Sequence, residues 1–284
     1  MVIRELLHEI IQDFKKNNIE NSVFEANLIV RTVLKLSPID MVLSHEKEVE
    51  EKQEKAIREY EKRRILGEPM QYILGTQEFM GLEFIVDKNV LVPRADTETL
   101  VEEVLKENKG MSVLDICTGS GCIGLSIAHY NKKAFVLGLD ISEAALQVAE
   151  KNAEKLKLSD RVRFEKTDIL SQTPSGVFDV IVSNPPYIES AEIEKLQVEV
   201  KGHEPHIALD GGADGLDFYR RIINIAPKLL QEKGKLYFEV GFNQAEEVKK
   251  LMEKHFDNVE AVKDLCGVLR VVKGEVKCLK QGKF

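Results

Sequence analysis

Apolar positions follow two different rhythms along this chain. Over the first sixty-odd residues the spacing is helical. Ile3, Leu6, Leu7, Ile10, Ile11 and Phe14 recur at i, i+3, i+4 and predict one amphipathic helix. Phe24, Leu28, Val33 and Leu36 predict a second, ended by Ser37-Pro38. The charged stretch from Glu46 to Arg64 holds few large apolar residues and predicts an exposed helix ending near Gly67. Its basic run Lys62-Arg63-Arg64 reads as a solvated face. The pattern then changes. Gln77 to Val86 alternates around Gly81, as a β-hairpin does, and Pro93 closes the segment. Asp96-Thr97 is placed to cap a helix whose apolar face is Leu100, Val101, Val104 and Leu105.

From residue 110 onward short apolar runs alternate with helical periods. Strands are predicted at 113–116, 134–139, 162–164, 177–183, 235–240, around Val259 and at 268–272. Helices are predicted at 123–129, 142–156, 218–230 and 245–255. This βαβ rhythm implies an α/β fold with a doubly wound, largely parallel sheet. Ligands on such sheets bind beyond the carboxyl ends of the strands. The expected organisation is a helical domain over 1–70, a β-hairpin linker over 71–95 and the α/β domain over 96–284. No internal repeat interrupts it.

Composition narrows the class. With 43% hydrophobic and 31% charged residues the chain can bury a full core and remain soluble. No apolar run approaches a membrane span. The first sixteen residues mix acidic with apolar side chains, as a surface helix does and a signal peptide does not, so a cytoplasmic protein without membrane association is expected. Cys117, Cys122, Cys266 and Cys278 form no CxxC pair and read as reduced thiols. His203 and His206 flank Glu204-Pro205 in a loop and read as ordinary loop residues, so no metal is expected. The net charge of −8 weighs modestly against a nucleic-acid substrate, which is usually met by a basic face.

Two segments carry chemistry. Asn184-Pro185-Pro186-Tyr187 follows the strand ending at Ser183. The prolines fix φ and remove two backbone donors, leaving carbonyls and one amide side chain. Such a turn suits a planar NH2 group, whose hydrogens need two acceptors; adenine, guanine and glutamine all qualify. The second segment, Asp115-Ile116-Cys117-Thr118-Gly119-Ser120-Gly121, joins a strand to a helix, with glycines that admit a ligand close to the backbone. Gly119, Gly121 and Gly124 match G-x-G-x-x-G, so a dinucleotide enzyme is an alternative. Asp140, ending the next strand, is placed to accept from both ribose hydroxyls, and Asp168 from an adenine amino group. Asp115 inside the loop approach would repel a pyrophosphate and tolerate a cation. With the later Asn-Pro-Pro-Tyr turn, this favours S-adenosylmethionine over NAD.

Taken together, these residues resemble the class I S-adenosylmethionine-dependent methyltransferases, whose fold is Rossmann-like. Leu91-Val92-Pro93-Arg94-Ala95-Asp96-Thr97-Glu98 further resembles the P-R-P-D-T-E segment of the protein-(glutamine-N5) methyltransferases, the HemK/PrmC family. Gly67 to Ile73 and Glu78-Phe79 resemble that family's linker. Glu204-Pro205, Ala208-Leu209, Gly215-Leu216 and Tyr219-Arg220 resemble its segment after the catalytic turn, and Asp264-Leu265, Gly267 and Arg270-Val271-Val272 its C-terminal end. The resemblance spans nearly the whole chain. Cys117 departs from the family's usual glycine, Ala95 from its proline and Ile169 from the aromatic residue of some members; a positive φ at Cys117 would strain it.

The resemblance implies methyl transfer from S-adenosylmethionine to the glutamine of the Gly-Gly-Gln motif in class 1 peptide chain release factors. It implies a cofactor site of Cys117, Thr118, Gly119, Ser120, Gly121, Asp140, Asp168, Ile169 and Asn184. Asn184 and the Pro185 carbonyl would accept the substrate's two N–H hydrogens, with Pro186 and Tyr187 shaping the pocket. A monomer acting on its protein substrate, without direct nucleic-acid contact, is expected; the N-terminal helical domain would serve docking. The same turn would also serve an adenine-N6 DNA or guanine-N2 RNA methyltransferase. A binding module with a vestigial cofactor loop is a third reading, disfavoured by the intact loop and turn. Arg94 is expected either to contact substrate, to orient the cofactor loop or to form a structural salt bridge.

Overall fold

The computed structural model describes residues 1–278, so residues 279–284 of the expected α/β domain lie outside the described residues. The chain forms two compact units. The first comprises Met1–Gly75 together with Gln197–His203; the second comprises Thr76–Leu196 and the chain from Glu204 onward.

The first unit is helical: α1 (Ile3–Lys16), α2 (Ser22–Leu34), α3 (Pro38–Leu43), α4 (Glu51–Ile65) and α5 (Met70–Leu74). Ile3, Leu6, Leu7, Ile10 and Phe14 of α1 are all buried, as their spacing predicts. In α2 the inward face differs from the expected one. Ala26, Ile29 and Val30 are buried, whereas Phe24 is 67% exposed. The face set by α1 and α4 selects the 22, 26, 29, 30 stripe, and Phe24 lies two positions off it. Ser37-Pro38 begins a helix as well as following one. The Ser37 hydroxyl accepts from the Asp40 N–H, the Asp40 carboxylate accepts from the Ser37 N–H, and proline occupies the first turn.

Helix α4 corrects the expectation of a wholly solvated basic face. Ile57, Glu61 and Arg64 are buried. The Arg64 guanidinium pairs with Glu25 on α2 at 2.6 Å and with Glu199 at 2.5 Å. Arg63 pairs with Glu68 at 2.6 Å. A buried guanidinium is tolerated because two carboxylates meet it.

The second unit opens with the hairpin β1 (Thr76–Phe79) and β2 (Leu82–Ile85). Met80 and Gly81 turn it with φ of +52° and +67°, the two-residue turn whose twist suits antiparallel strands. Phe79 and Phe84 pack into the core of this unit. After a 3-10 turn at Ala95–Thr97, α6 (Glu98–Leu105) leads into the alternating region. This comprises β3 (Met111–Ile116), α7 (Cys122–Tyr130), β4 (Ala134–Asp140), α8 (Glu143–Lys155), β5 (Val162–Lys166) and β6 (Phe178–Ser183). The chain then enters the short α9 (Val198–His203), which belongs to the first unit. It returns through α10 (Asp217–Leu229), β7 (Leu230–Glu239), α11 (Ala245–Met252), β8 (Phe256–Lys263) and β9 (Leu269–Val276).

The seven strands order as β5-β4-β3-β6-β7-β9-β8. All pairs are parallel except those of β9, which runs antiparallel to β7 and β8. Residues of two-residue period divide between two cores. Val113, Val180, Val182 and Tyr237 face one side with Leu100, Val101, Val104 and Leu125. Leu114, Ile181, Leu236 and Phe238 face the other with Tyr219, Ile222, Ala226 and Val248. Both faces are therefore covered, as a parallel sheet requires. The order reverses at β3, whose successor β4 lies on one side and β6 on the other. A crevice at the carboxyl ends of the strands follows from that reversal.

Candidate active site

The crevice holds a cavity of about 720 Å³, within the range that encloses a small organic cofactor. Its wall contains Cys117, Thr118, Gly119 and Ser120 after β3, Asp140 after β4, Asp168 and Ile169 after β5, and Asn184 and Pro186 after β6. Residues 117 to 186 are thus brought to one rim because each ends a neighbouring strand. Gly121, Pro185 and Tyr187 are not on the wall.

Gly121 has a packing role. It begins α7 with φ +78°, and a Cβ there would stand 2.9 Å from Leu125 Cδ1 and 3.2 Å from the Ala149 Cβ. Gly119, at φ +56°, has open space where its Cβ would be, leaving its backbone accessible to a ligand. Cys117 does adopt a positive φ, +61°, a conformation that costs a non-glycine residue of order 1–3 kcal/mol. Burial pushes its thiol well above the usual range, with Asp140 and Asp115 adding to the effect. Cys117 therefore lines the cavity as a neutral, apolar surface rather than as a nucleophile.

Asp115 does not face the ligand, contrary to the sequence expectation. It is fully buried under the loop, where its Oδ2 accepts from the Thr118 hydroxyl at 2.6 Å and from the Gly124 N–H at 3.1 Å. Burial pushes its carboxyl up to about 7 against those two bonds. Its role is to hold the loop against α7. Asn152 of α8 supports the same loop from outside: its Nδ2 donates to the Ser120 and Ile85 carbonyls at 3.0 Å each, and its Oδ1 accepts from the Ile85 N–H at 2.6 Å. One buried amide thus ties the hairpin to the glycine-rich loop.

Asp140 is fixed at the cavity wall by backbone donors. Oδ2 accepts from the Gly119 N–H at 2.9 Å and Oδ1 from the Ser142 N–H at 2.9 Å. Each oxygen keeps a lone pair for a further donor, which fits the two hydroxyls of a ribose. Burial raises its carboxyl above the ordinary range despite these bonds. Asp168 is both turn former and wall: its carboxylate accepts from the Leu170 N–H at 3.1 Å and the Ser171 hydroxyl at 2.7 Å. Ile169 is buried and its carbonyl is held by Arg221. An apolar slot beside acceptor groups suits an adenine ring. The residues present therefore fit S-adenosylmethionine, with Asp140 at the ribose and Asp168 and Ile169 at the base.

The Asn-Pro-Pro-Tyr turn is braced from behind. Asn184 Nδ2 donates to the Thr97 hydroxyl at 3.4 Å, so Oδ1 is the amide atom left to accept from a ligand. Tyr187 packs against the core, and burial pushes its hydroxyl up to about 12. Arg94 lines the cavity and pairs with Glu204 at 2.6 Å, the salt bridge among its expected roles. The Asp96-Thr97 pair does not cap α6 as expected. Thr97 precedes the helix without a side-chain cap bond, and Asp96 instead pairs with Arg270 at 2.8 Å. His203 lies on α9 and His206 on a separate 3-10 turn at the cavity wall. Among the described residues no cluster of His, Cys, Asp and Glu is arranged to hold a metal, and no helix is long and apolar enough to cross a membrane.

Sequence reasoning missed three residues of this site: Thr97 as the partner of Asn184, Gln244 behind Tyr187, and Glu239. Only Glu239 left a signal, a carboxylate inside the buried run Leu236-Tyr237-Phe238-Glu239-Val240.

A seven-stranded sheet with one late antiparallel strand, a glycine-rich loop after β3 and a cavity-lining acid after β4 make the arrangement of a class I, S-adenosylmethionine-dependent methyltransferase. The comparisons agree. Residues 107–281 match the family model for a methyltransferase domain, and residues 5–75 that for the PrmC N-terminal domain. A Clostridium acetobutylicum protein named release factor glutamine methyltransferase is 43% identical over 278 residues, covering 96% of this chain and 98% of its own. A Geobacter sulfurreducens protein of the same name is 40% identical, covering 92% of each chain. The chain belongs to the release factor glutamine methyltransferase family. Among solved structures, the hMettl16 catalytic domain in complex with a MAT2A 3′UTR hairpin superposes with a TM-score of 0.58 at 18% identity, over 78% of this chain and 83% of that one. A Pyrococcus furiosus methyltransferase does so at 0.51 and 19%, over 69% and 90%. These two share the fold.

Proposed function

We propose that this enzyme transfers a methyl group from S-adenosylmethionine to the side-chain amide nitrogen, N5, of the glutamine in the Gly-Gly-Gln motif of class 1 peptide chain release factors, in the cytoplasm. The observation that carries this reading is the Asn184 amide. Its NH2 is committed to Thr97, so an acceptor oxygen remains at the cavity wall. Relatives named for release factor glutamine methylation, alike over both units, support the choice of glutamine.

The cofactor, when bound, supplies an electrophilic methyl on a sulfonium. What the protein must supply is a competent nucleophile, because an amide nitrogen shares its lone pair with the adjoining carbonyl. Asn184 Oδ1 accepts one N–H of the substrate amide; the other is assigned to the Pro185 carbonyl on the family resemblance, Pro185 itself not lining the cavity. Two fixed acceptors turn the nitrogen toward the donor and favour its loss of planarity. Orientation of this kind is worth roughly 7–11 kcal/mol in well-placed systems. Tyr187, neutral and core-anchored, keeps the turn in position rather than moving a proton. The amide proton can leave after transfer, so no dedicated base is assigned.

The test is direct. The protein is incubated with methyl-labelled S-adenosylmethionine and, separately, with a class 1 release factor, its glutamine-substituted variant, DNA and ribosomal RNA. Label is expected on the release factor alone and is lost with the glutamine. Label on DNA or RNA but not on the release factor overturns the reading in favour of a nucleobase amine.

A further inference from the structure

Behind the Asn-Pro-Pro-Tyr turn lies a buried carboxyl that the mechanism above does not use. Strands β6 and β7 pair in parallel with Ser183 opposite Phe238. One residue further along that register, Asn184 stands beside Glu239. Glu239 is 2% exposed, and Thr97, which receives the Asn184 amide, is equally buried. Thr97 and Asn184 both lie close enough to favour the ionised Glu239 carboxyl, the bond joining their own two side chains runs from Asn184 Nδ2 to the Thr97 hydroxyl, and Glu239 Oε2 makes no hydrogen bond. A buried carboxyl with an unmet oxygen is costly to keep. Its strand neighbours Leu236, Tyr237, Phe238 and Val240 are apolar and fully covered, so the fold alone does not call for an acid there.

Its chemistry does have a consequence for the amide. Ionised, as Arg270 favours, the carboxyl only accepts and so favours the Asn184 NH2 on its own side; protonated, it still keeps an accepting oxygen for that NH2. The flipped amide would set Oδ1 against acceptors and present NH2 to the cavity, where it could not receive an N–H from a substrate. We propose that Glu239 is a positioning residue: acting with Thr97, it fixes the orientation of the Asn184 amide and so keeps the acceptor oxygen toward the substrate. This rests on the reading of Asn184 as the acceptor for the substrate amide.

The charged and titratable groups facing this carboxyl are Asp96 before α6, Arg270 on β9, Cys122 on α7, Tyr187 after the turn and Tyr219 on α10. Arg270 favours the ionised form and Asp96 opposes it, while burial dominates and pushes the carboxyl up to about 7.

The experiment is a polarity exchange, read as kcat, substrate KM and cofactor Kd on the full chain with release factor as substrate. Glu239→Gln keeps the shape but can donate as well as accept, and Thr97→Val removes the hydroxyl without changing the volume. Each is expected to lower kcat at least about tenfold, the scale of one hydrogen bond to a charged group, with cofactor Kd within about twofold and no fall in thermal midpoint large enough to account for it. Asn184→Asp places two like carboxyls together and is expected to be poorly active. Adding Glu239→Gln to it restores a donor–acceptor pair and is expected to recover kcat at least about tenfold over Asn184→Asp alone. A purely structural role gives no such recovery. Undiminished kcat in Glu239→Gln, or a double variant no better than Asn184→Asp, overturns the proposal. The reading on which it rests fails separately, if Asn184→Ala turns over at the parent rate.

Discussion

Gln244 holds the carbonyl of Tyr187. Its Nε2 donates to that oxygen at 2.9 Å and to the Gly215 carbonyl at 3.3 Å, while its Oε1 accepts from the Gly241 N–H at 3.1 Å. One side chain at the start of α11 thus serves three loops that carry no regular structure. Gln244→Ala leaves two carbonyls and one N–H without that partner. A loss of about 1–3 kcal/mol is expected, read as a lower urea midpoint, together with reduced kcat. Gln244→Glu, of the same shape, turns an acceptor on both carbonyls and is expected to be at least as damaging. A midpoint equal to the parent's in both variants would contradict the clamp.

Asp140 accepts from its own loop and, on the proposed reading, from the cofactor as well. Asp140→Ala removes the acceptor for any ribose hydroxyl and also for the Gly119 and Ser142 N–H groups. Hydrogen bonds to a charged group contribute roughly 1.5–3 kcal/mol each, so cofactor affinity measured by calorimetry is expected to fall by about tenfold or more. Affinity unchanged from the parent would remove the ribose assignment.

Asp115 makes stability depend on pH in a defined direction. Its carboxyl titrates near 7 in the folded protein because burial opposes the charge, against an ordinary value of 3.8. Between these values the folded state holds a proton that the unfolded state has released. The stabilisation is therefore complete below about pH 4 and is lost as pH rises through 7. Asp115→Asn keeps an oxygen for Thr118 and Gly124 and removes the titration. The prediction is that the fall in urea midpoint between pH 5.5 and 8.5 becomes smaller in this variant, with other carboxyls raised by burial, Glu239, Asp140 and Glu61 among them, sustaining the remainder. An identical fall in parent and variant would exclude Asp115 as a source.

Arg64 lies buried between Glu25 and Glu199. Removing one member of a buried ion pair costs about 3–5 kcal/mol, largely because the other is left uncompensated. Arg64→Ala is expected to approach that range, and Arg64→Met to lose less if Glu25→Gln accompanies it. Thermal unfolding followed by circular dichroism would register both. A midpoint within error of the parent's for Arg64→Ala would mean that the pair contributes nothing net.

Much of this architecture is legible in the sequence because local patterns govern it. The period-two runs ending at Ile116, Asp140 and Ser183 locate three strands, and the fold rule for parallel sheets then puts the chemistry at their carboxyl ends. The hairpin is legible from alternation around Met80-Gly81. What escapes is set by partners far apart in sequence. The burial of Arg64 depends on carboxylates at 25 and 199, and nothing near residue 64 announces them. The inward face of α2 is chosen by its neighbours, so Phe24 is exposed against its hydropathy. Asp115 reads as a ligand-facing acid until the loop geometry turns it under Thr118. Thr97, Asn184 and Glu239 meet only through the register of β6 and β7 and the turn before α6. Residues 188 to 216 have no period to read, and their short helix and 3-10 turns leave no pattern.

The return of the chain at 197–203 bears on how the molecule is made. Synthesis proceeds from the N-terminus, so Met1–Gly75 leaves the ribosome about 120 residues ahead of the segment that completes its unit. At roughly 5–20 residues per second, the helical unit waits about 6 to 24 seconds for its last piece. Until then Arg64 has Glu25 but lacks Glu199. Strand β6 and the Asn-Pro-Pro-Tyr turn are translated during that interval. The order of emergence therefore makes the helical unit, first to be synthesised, one whose final structure must await the part of the chain that contains the chemistry.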